Sequence, residues 1–268
     1  MLSKEDNELL TRVGAGTPTG ELYRRYWMPL LLTEELTEAK DAPVPVRALG
    51  EDFVAFRDAS GKARIIGAKC PHRQVDLVYA RNEGCGLRCL YHGWVMDGEG
   101  RIAEMPNDPA GTAKDKISHR WCPTHEAGGI VWGYLGSPDE APPPPPMGWT
   151  TVPENQRAAS KVRINCNYLQ CLEGGLDSSH AGSLHAGSLS KDLFPTHPRS
   201  KTDMFDLLVA DRAPTLEVEL TETGMRIAAL RNADENNAYA RITTWIAPWF
   251  ASVPEHAGVP RFVNGFTP

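Results

Sequence analysis

Two pairs of metal-ligand residues constrain this chain more than any other feature. Within residues 70–92, CPHRQVDLVYARNEGCGLRCLYH, Cys70-x-His72 and Cys89-x-x-His92 stand with sixteen residues between them. A fold that uses them must bring two separate loops to one place. Zinc takes Cys₂His₂ sets, but zinc ribbons and fingers usually pair Cys with Cys and His with His along the chain. Here each loop offers one thiolate and one imidazole. That mixed pairing suits a [2Fe-2S] cluster in which two cysteines hold one iron and two histidines hold the other, with structural zinc as the alternative.

At 268 residues the chain has room for one or two domains and a substantial core. A net charge of -6 without a basic patch argues against nucleic acid. No run of eighteen apolar residues argues for a membrane span. The opening MLSKEDNELL is charged from Lys4 onward and lacks the apolar stretch of a signal peptide, which predicts a cytoplasmic protein. Its six cysteines are then thiols rather than disulfides. Two belong to the ligand pairs, and Cys85, Cys122, Cys166 and Cys171 read as reduced, partly buried side chains. Cys85 lies near Cys89, but Gly84 and Gly86 around it read as loop.

Along the chain, residues 4–13 predict a helix capped by Ser3, and residues 21–27 a second short turn. From Val44 the pattern alternates through VPVRALG, DFVAFRD and KARIIG, which predicts short antiparallel strands. Residues 94–96 and 101–103 predict a further hairpin, and residues 129–135 a buried strand. Both ligand pairs fall at hairpin tips, where the surrounding glycines let backbone N–H groups approach the sulfurs. The run of five prolines at 142–146 marks a boundary or surface crossover, and residues 160–166 (SKVRINC) read as a strand that leads into a second unit.

That unit opens with NYLQCLEGGLDSSHAGSLHAG, residues 167–187. Leu169, Leu172 and Leu176 repeat at helical spacing, followed by Glu173, Asp177, His180 and His185 as a polar group. Asp177 and His180 are close if they share a helix. His180 and His185 are five apart, so the helix must bulge or end between them, with Gly182 as the expected place. Two histidines completed by one carboxylate make the facial triad of a non-haem Fe(II) site. Asp177 then orients an iron-bound histidine, and Glu173 is either a further support or a solvated side chain. A helix end with surface histidines is the plainer alternative.

These segments together resemble a known family. LSKEDNELL, GTPTGELYRRYWMP, GEDFVAFRD, CPHR, GLRCLYHGW, MPNDPA and LEGGLDSSHAGSLH, covering most of residues 1–187, are similar to the α subunits of Rieske non-haem iron aromatic-ring-hydroxylating oxygenases of the phthalate dioxygenase-like group. The resemblance implies an α+β chain: an N-terminal helical arm (1–40), a small all-β Rieske [2Fe-2S] domain (41–145), and the start of a helix-grip catalytic domain (146–268). It implies that Cys70, His72, Cys89 and His92 bind the cluster and that His180 and His185 bind mononuclear Fe(II). Asp177 would bridge the cluster of one subunit to the iron of its neighbour, in an α3 homotrimer or stacked trimers. Electrons would come from NADH or NADPH through a flavin and iron–sulfur reductase, and dioxygen and an aromatic carboxylate would be the substrates.

After His185, residues 215–221, 225–231 and 239–246 predict three strands of an antiparallel sheet. The resemblance leads one to expect more sheet, a long helix and an aspartate as third iron ligand. None of Asp192, Asp203, Asp206, Asp211 or Asp234 lies in a matching motif, so the reading is of a C-terminally truncated chain. An uncovered sheet edge and apolar face are the expected physical consequence. Ring dihydroxylation leads. Monooxygenase or O-demethylase chemistry uses the same ligands, and an electron-transfer remnant without a working iron is the reading from another class.

Overall fold

The helices of the first unit begin where hydroxyl side chains cap them. In the computed structural model, which describes residues 2–186, 204–254 and 262–268, the chain divides into one compact unit of Met1–Ile164 with Thr267–Pro268 and another of Asn165–Phe266. The Ser3 hydroxyl accepts from the Asp6 N–H at 3.0 Å and starts α1 (Lys4–Thr11), as predicted. The second helix, α2 (Pro18–Tyr23), lies earlier than the predicted 21–27, because Thr17 caps it and Pro18 occupies its first turn. Trp27 instead opens a strand, β1 (Trp27–Leu32).

The alternating segments form β2 (Val44–Ala48), β3 (Glu51–Arg57) and β4 (Ala63–Gly67). Between β2 and β3 the chain turns through Leu49 and Gly50, both left-handed at φ 48° and 77°, the turn that suits the twist of a two-residue hairpin. Leu49 is fully buried, so packing overrides its backbone preference. Four short strands follow: β5 (Arg81–Asn82), β6 (Leu87–Arg88), β7 (Val95–Met96) and β8 (Ile102–Glu104). Then come β9 (Trp121–Cys122), β10 (Thr124–Ala127) and β11 (Ile130–Tyr134). Pairing yields three antiparallel sheets, ordered β2-β3-β4-β9, β5-β6-β7-β8 and β1-β11-β10. Val54, Phe56, Ile66, Leu77, Leu87, Trp94, Met96 and Ile102 form one buried core, and Cys70 and Cys89 are set into it.

The proline run has no regular structure and lies within the first unit, where the Pro142 carbonyl accepts from Trp27 Nε1 at 2.8 Å. The strand predicted over residues 160–166 does not form. Val162 and Ile164 are exposed there, and alternation without a partner edge gives no ladder.

In the second unit, α3 (Tyr168–Leu176), α4 (Ala181–Leu184) and α5 (Met204–Ala210) precede a five-strand meander. Its strands are β12 (Thr215–Thr221), β13 (Gly224–Asn232), β14 (Ala238–Ile246), β15 (Phe250–Val253) and β16 (Phe262–Gly265). The three predicted strands are present, and two more follow. The short β15 begins two residues after Pro248, a position that reads as a chain break rather than a strand. The register puts Met225, Ile227, Ala229 and Arg231 on one face of β13, opposite Trp245, Thr243, Arg241 and Tyr239 of β14. Helix α3 lies against β14 and β15, and α5 against β13. On the edge strand β12, Leu216, Val218 and Leu220 are exposed.

Candidate metal centres

Two loops in the first unit share one design. In the loop that follows β4, the Cys70 N–H donates to the Val75 carbonyl and the Gln74 N–H to the Cys70 carbonyl, both at 2.9 Å. Between β6 and β7 the Cys89 N–H donates to the Trp94 carbonyl at 2.8 Å and the Gly93 N–H to the Cys89 carbonyl at 3.0 Å. In each loop the residue four after the cysteine is left-handed, Gln74 at φ 58° and Gly93 at φ 75°. Only the second of these is a glycine. The expectation that glycines line both tips therefore holds for one loop, and in the other a glutamine carries the same backbone conformation. A bridge between Lys69 and Asp76, with Lys69 Nζ 2.8 Å from Asp76 Oδ2, closes the first loop at its base. Arg88 closes the second, donating to the Gly93 carbonyl at 2.8 Å and to both oxygens of Glu83.

This backbone sorts the four predicted ligands into like pairs. Cys70 and Cys89 are buried, and the Cys89 sulfur is close enough to help raise the Cys70 thiol. The His72 and His92 rings are half-buried, with centroids 4.6 Å apart. His72 stacks on Trp94 at 4.6 Å with planes 2° apart, and Tyr91 lies 3.8 Å from His92. The Trp94 N–H is held by Asn107 Oδ1 at 2.6 Å. Neither Trp94 nor Asn107 was singled out from the sequence, although GLRCLYHGW and MPNDPA contain them.

Burial pushes the Cys70 thiol up, opposed by the backbone N–H groups of His72 and Arg73 that point at its sulfur. Burial, with His92 and Arg73 alongside, lowers His72. That favours the neutral imidazole able to ligate a metal. Among the described residues, no three His, Cys, Asp or Glu side chains gather around a point where one metal ion would sit. A single tetrahedral zinc needs all four donors on one point. Sulfur beside sulfur and imidazole beside imidazole fit a two-iron cluster.

In the second unit, the Asn167 side chain caps α3 by accepting from the Leu169 N–H at 3.0 Å. Asp177 ends the helix, its N–H donating to the Glu173 carbonyl at 2.9 Å, while the Glu173 side chain is exposed. The Asp177 carboxylate then organises the next turn. Oδ1 accepts from the Ser179 N–H at 2.7 Å, and Oδ2 accepts from the His180 N–H at 3.1 Å and lies 3.2 Å from His180 Nδ1. Asp177 and His180 are thus adjacent through a side-chain turn and not, as the sequence suggested, along one helix. Partial burial pushes the Asp177 carboxyl up, and the hydrogen bonds from Ser179 and His180 outweigh it, so the group sits below the ordinary carboxylate value.

His180 and His185 are brought together by α4, which they flank, with ring centroids 5.2 Å apart. The chain breaks before His180 and not at Gly182. Gly182 lies inside α4, where an added Cβ would be 2.1 Å from the Leu208 carbonyl oxygen, so its role is the close packing of α4 on α5.

Two arginines that the sequence did not mark support this turn. Arg231 is 1% exposed and donates to the Ser178 carbonyl at 2.8 Å, to Ser178 Oγ at 3.4 Å and to the Asp211 carbonyl at 2.9 Å. Arg241 donates to Ser178 Oγ at 3.3 Å and to Thr243 Oγ1 at 3.4 Å, and burial lowers its pKa. The available signal was an arginine on the inward phase of β13, after Met225, Ile227 and Ala229. The other aspartates offer no third ligand among the described residues. Asp211 accepts from the Ala213 N–H and from the Asn232 N–H at the end of β13, Asp234 accepts from the Asn236 N–H of its own turn, Asp206 is exposed, and Asp192 and Asp203 lie outside the described residues.

Comparison with known proteins agrees with both halves. Residues 26–117 match the Rieske [2Fe-2S] domain and residues 133–259 the LigXa C-terminal domain like family. The phthalate 4,5-dioxygenase oxygenase subunit of Pseudomonas putida is 41% identical over 261 residues, 95% of this chain and 58% of that subunit. The 5,5'-dehydrodivanillate O-demethylase oxygenase subunit of a Sphingobium species is 41% identical over 193 residues, 69% of this chain and 44% of that one. The crystal structure of dicamba monooxygenase bound to dicamba shares the fold with a TM-score of 0.64 at 22% identity, covering 85% of this chain and 65% of that one. The chain thus spans 58% of the length of the phthalate 4,5-dioxygenase subunit. With paired cysteine and histidine loops in a Rieske domain, followed by a LigXa-like domain of helices and antiparallel sheet, the chain belongs to the Rieske non-haem iron oxygenases, in their phthalate dioxygenase-like group.

Proposed function

We propose that this chain takes electrons from a separate flavin and iron–sulfur reductase fed by NADH or NADPH, in the cytoplasm, and uses them at an iron that acts with dioxygen on an aromatic carboxylate. Cys70 and Cys89 hold one iron of the cluster, and His72 and His92 hold the other. His180 and His185 hold mononuclear Fe(II), with a carboxylate ligand that the described residues do not supply. When bound, the cluster carries single electrons and the mononuclear iron activates dioxygen.

The remaining roles belong to side chains of this chain. Asp177 faces His180 Nδ1 at 3.2 Å, which leaves Nε2 as the ligating nitrogen. Its carboxylate, held ionised by the Ser179 and His180 N–H groups, is the acceptor for the outward N–H of a cluster histidine on a neighbouring subunit of a trimer or stacked trimers. Arg231 anchors Ser178 and so keeps Asp177 in place. Arg241 has two hydroxyls as its hydrogen-bond partners among the described residues, and its remaining N–H donors suit a substrate carboxylate.

The observation that carries this reading is the presence, in one chain, of the paired loops and of the Asp177–His180–His185 turn. A free-standing electron carrier has no use for the second. Ring dihydroxylation is the leading chemistry, and O-demethylation is favoured as a second by the 41% identical O-demethylase subunit. Metal and sulfide analysis with EPR tests the metal assignment. About two irons and two sulfides per chain with a Rieske signal on reduction support the cluster, and an additional iron lost in His180→Ala supports the second site. A cluster without that iron leaves an electron-transfer protein. Incubation with phthalate and with a methoxylated aromatic acid, supplied with reductase, separates diol from phenol as product.

A further inference from the structure

The second unit opens with a pair of thiols that the metal sites do not use. Cys166 is exposed and Cys171 half-buried, and their Sγ atoms lie 3.2 Å apart in a hydrogen bond. Asn167 caps α3, so Cys166 is the residue before the cap and Cys171 the fourth residue of the helix. Side chains at these two positions meet where a chain turns into a helix, usually as an apolar contact. Here the contact is sulfur on sulfur. Hydrogen bonding to Cys166, then burial, raises the Cys171 thiol, and of the two sulfurs that of Cys166 is the exposed one.

We propose that Cys166 and Cys171 are an oxidisable dithiol, which hydrogen peroxide closes to an intrachain disulfide and a dithiol reductant reopens. The exposed Cys166 sulfur attacks one peroxide oxygen. The O–O bond breaks, an S–O bond forms, the thiol proton leaves with the departing oxygen as water, and Cys166 becomes a sulfenic acid. The Cys171 sulfur then attacks Cys166. The S–S bond forms, the S–O bond breaks, and the Cys171 proton leaves with the hydroxyl as a second water. Two thiols give up two electrons and two protons, and one peroxide becomes two waters.

Closure takes the sulfurs from 3.2 Å to the bonded distance of about 2.05 Å. It joins side chains already in contact across one turn of helix, so the backbone of α3 is retained. The modified helix is the one that Asp177 ends, which places the modification in the scaffold of the histidine turn and not among its ligands. The inference stands on the dithiol geometry, whether or not His180 and His185 hold iron.

The test treats the full chain with hydrogen peroxide, blocks remaining thiols with N-ethylmaleimide, and cuts with chymotrypsin at Tyr168, between the two cysteines. Two peptides joined through Cys166 and Cys171 are expected, together lighter by two hydrogen atoms than their unlinked forms. Two of the six cysteines are lost to alkylation, and dithiothreitol restores both. In Cys171→Ser the linked product is lost completely and Cys166 is trapped by dimedone as sulfenic acid. Recovery of Cys166 and Cys171 as maleimide adducts in the wild-type chain, or linkage of either to a different cysteine or a second chain, overturns the proposal.

Discussion

Replacing Arg231 with methionine should loosen the second unit while leaving the first unchanged. The side chain is 1% exposed, and its guanidinium supplies the donors to the Ser178 carbonyl at 2.8 Å and the Asp211 carbonyl at 2.9 Å. Methionine keeps the stem but strands both acceptors, and an unsatisfied carbonyl costs about 1–3 kcal/mol when buried, as at Ser178, and toward the low end where half-buried, as at Asp211, hence about 2–5 kcal/mol together. Removing a buried charge offsets part of this, which leaves a net loss of about 2–4 kcal/mol. Ser178 Oγ keeps its contact from Arg241, so the hydroxyl adds little to the cost. At tenfold per 1.4 kcal/mol, amides in β13 and in the turn after Asp177 should exchange about 30- to 1,000-fold faster in Arg231→Met. Hydrogen exchange read by mass spectrometry resolves these segments, and the visible absorption of the cluster reports the first unit independently. Lysine should fall between the two, because an ammonium cannot span both carbonyls as the guanidinium fork does. Unchanged exchange in both segments would refute the anchoring role.

Asp177 lies below its unfolded value, so it adds stability that is fully present above that value, about pH 4, and is lost as the pH falls through the lower folded value. Asp177→Asn should therefore lower protection of the Ser179 and His180 amides at neutral pH and flatten its acid dependence, and equal pH profiles for the two chains would sink the assignment. Gly93→Ala places a side chain at φ 75° with its Cβ 3.2 Å from Pro106, for a cost of about 1–2 kcal/mol. The cluster absorption should bleach at lower temperature. Gln74→Gly, at the matching position of the other loop, should shift stability by less than about 1 kcal/mol, since relief of the left-handed conformation is offset by chain entropy. Gly182→Ala drives a methyl into the Leu208 carbonyl and should cost about 1–3 kcal/mol, seen as faster exchange across α4.

The paired cysteine and histidine loops were legible because their residue types and spacings are local in the chain. The same holds for α1, whose Ser3 cap acts within one turn, and for the alternating β2, β3 and β4. Local signals failed where a partner at a distance decides. SKVRINC alternates yet has no strand to pair with, and β15 and β16 are short segments that become strands by pairing with β14 and each other. The second pair of histidines was found by its neighbours in sequence. Its geometry was not, because helix periodicity cannot foresee that Asp177 would leave the helix and fold its carboxylate over the next two N–H groups.

The sequence alone therefore determined which atoms are available: two cysteines and two histidines in paired loops, two more histidines behind an aspartate, and the strands and helices nearest to them. Donor chemistry and short-range periodicity are properties of the chain itself. Only the tertiary structure decided which donors meet. It set thiol beside thiol and imidazole on Trp94, brought Arg231 from β13 under Ser178, and apposed Cys166 and Cys171 across one helical turn. Those contacts follow from strand register and from where each helix stops, and register is settled by the burial of a whole sheet face rather than by any residue within the segment.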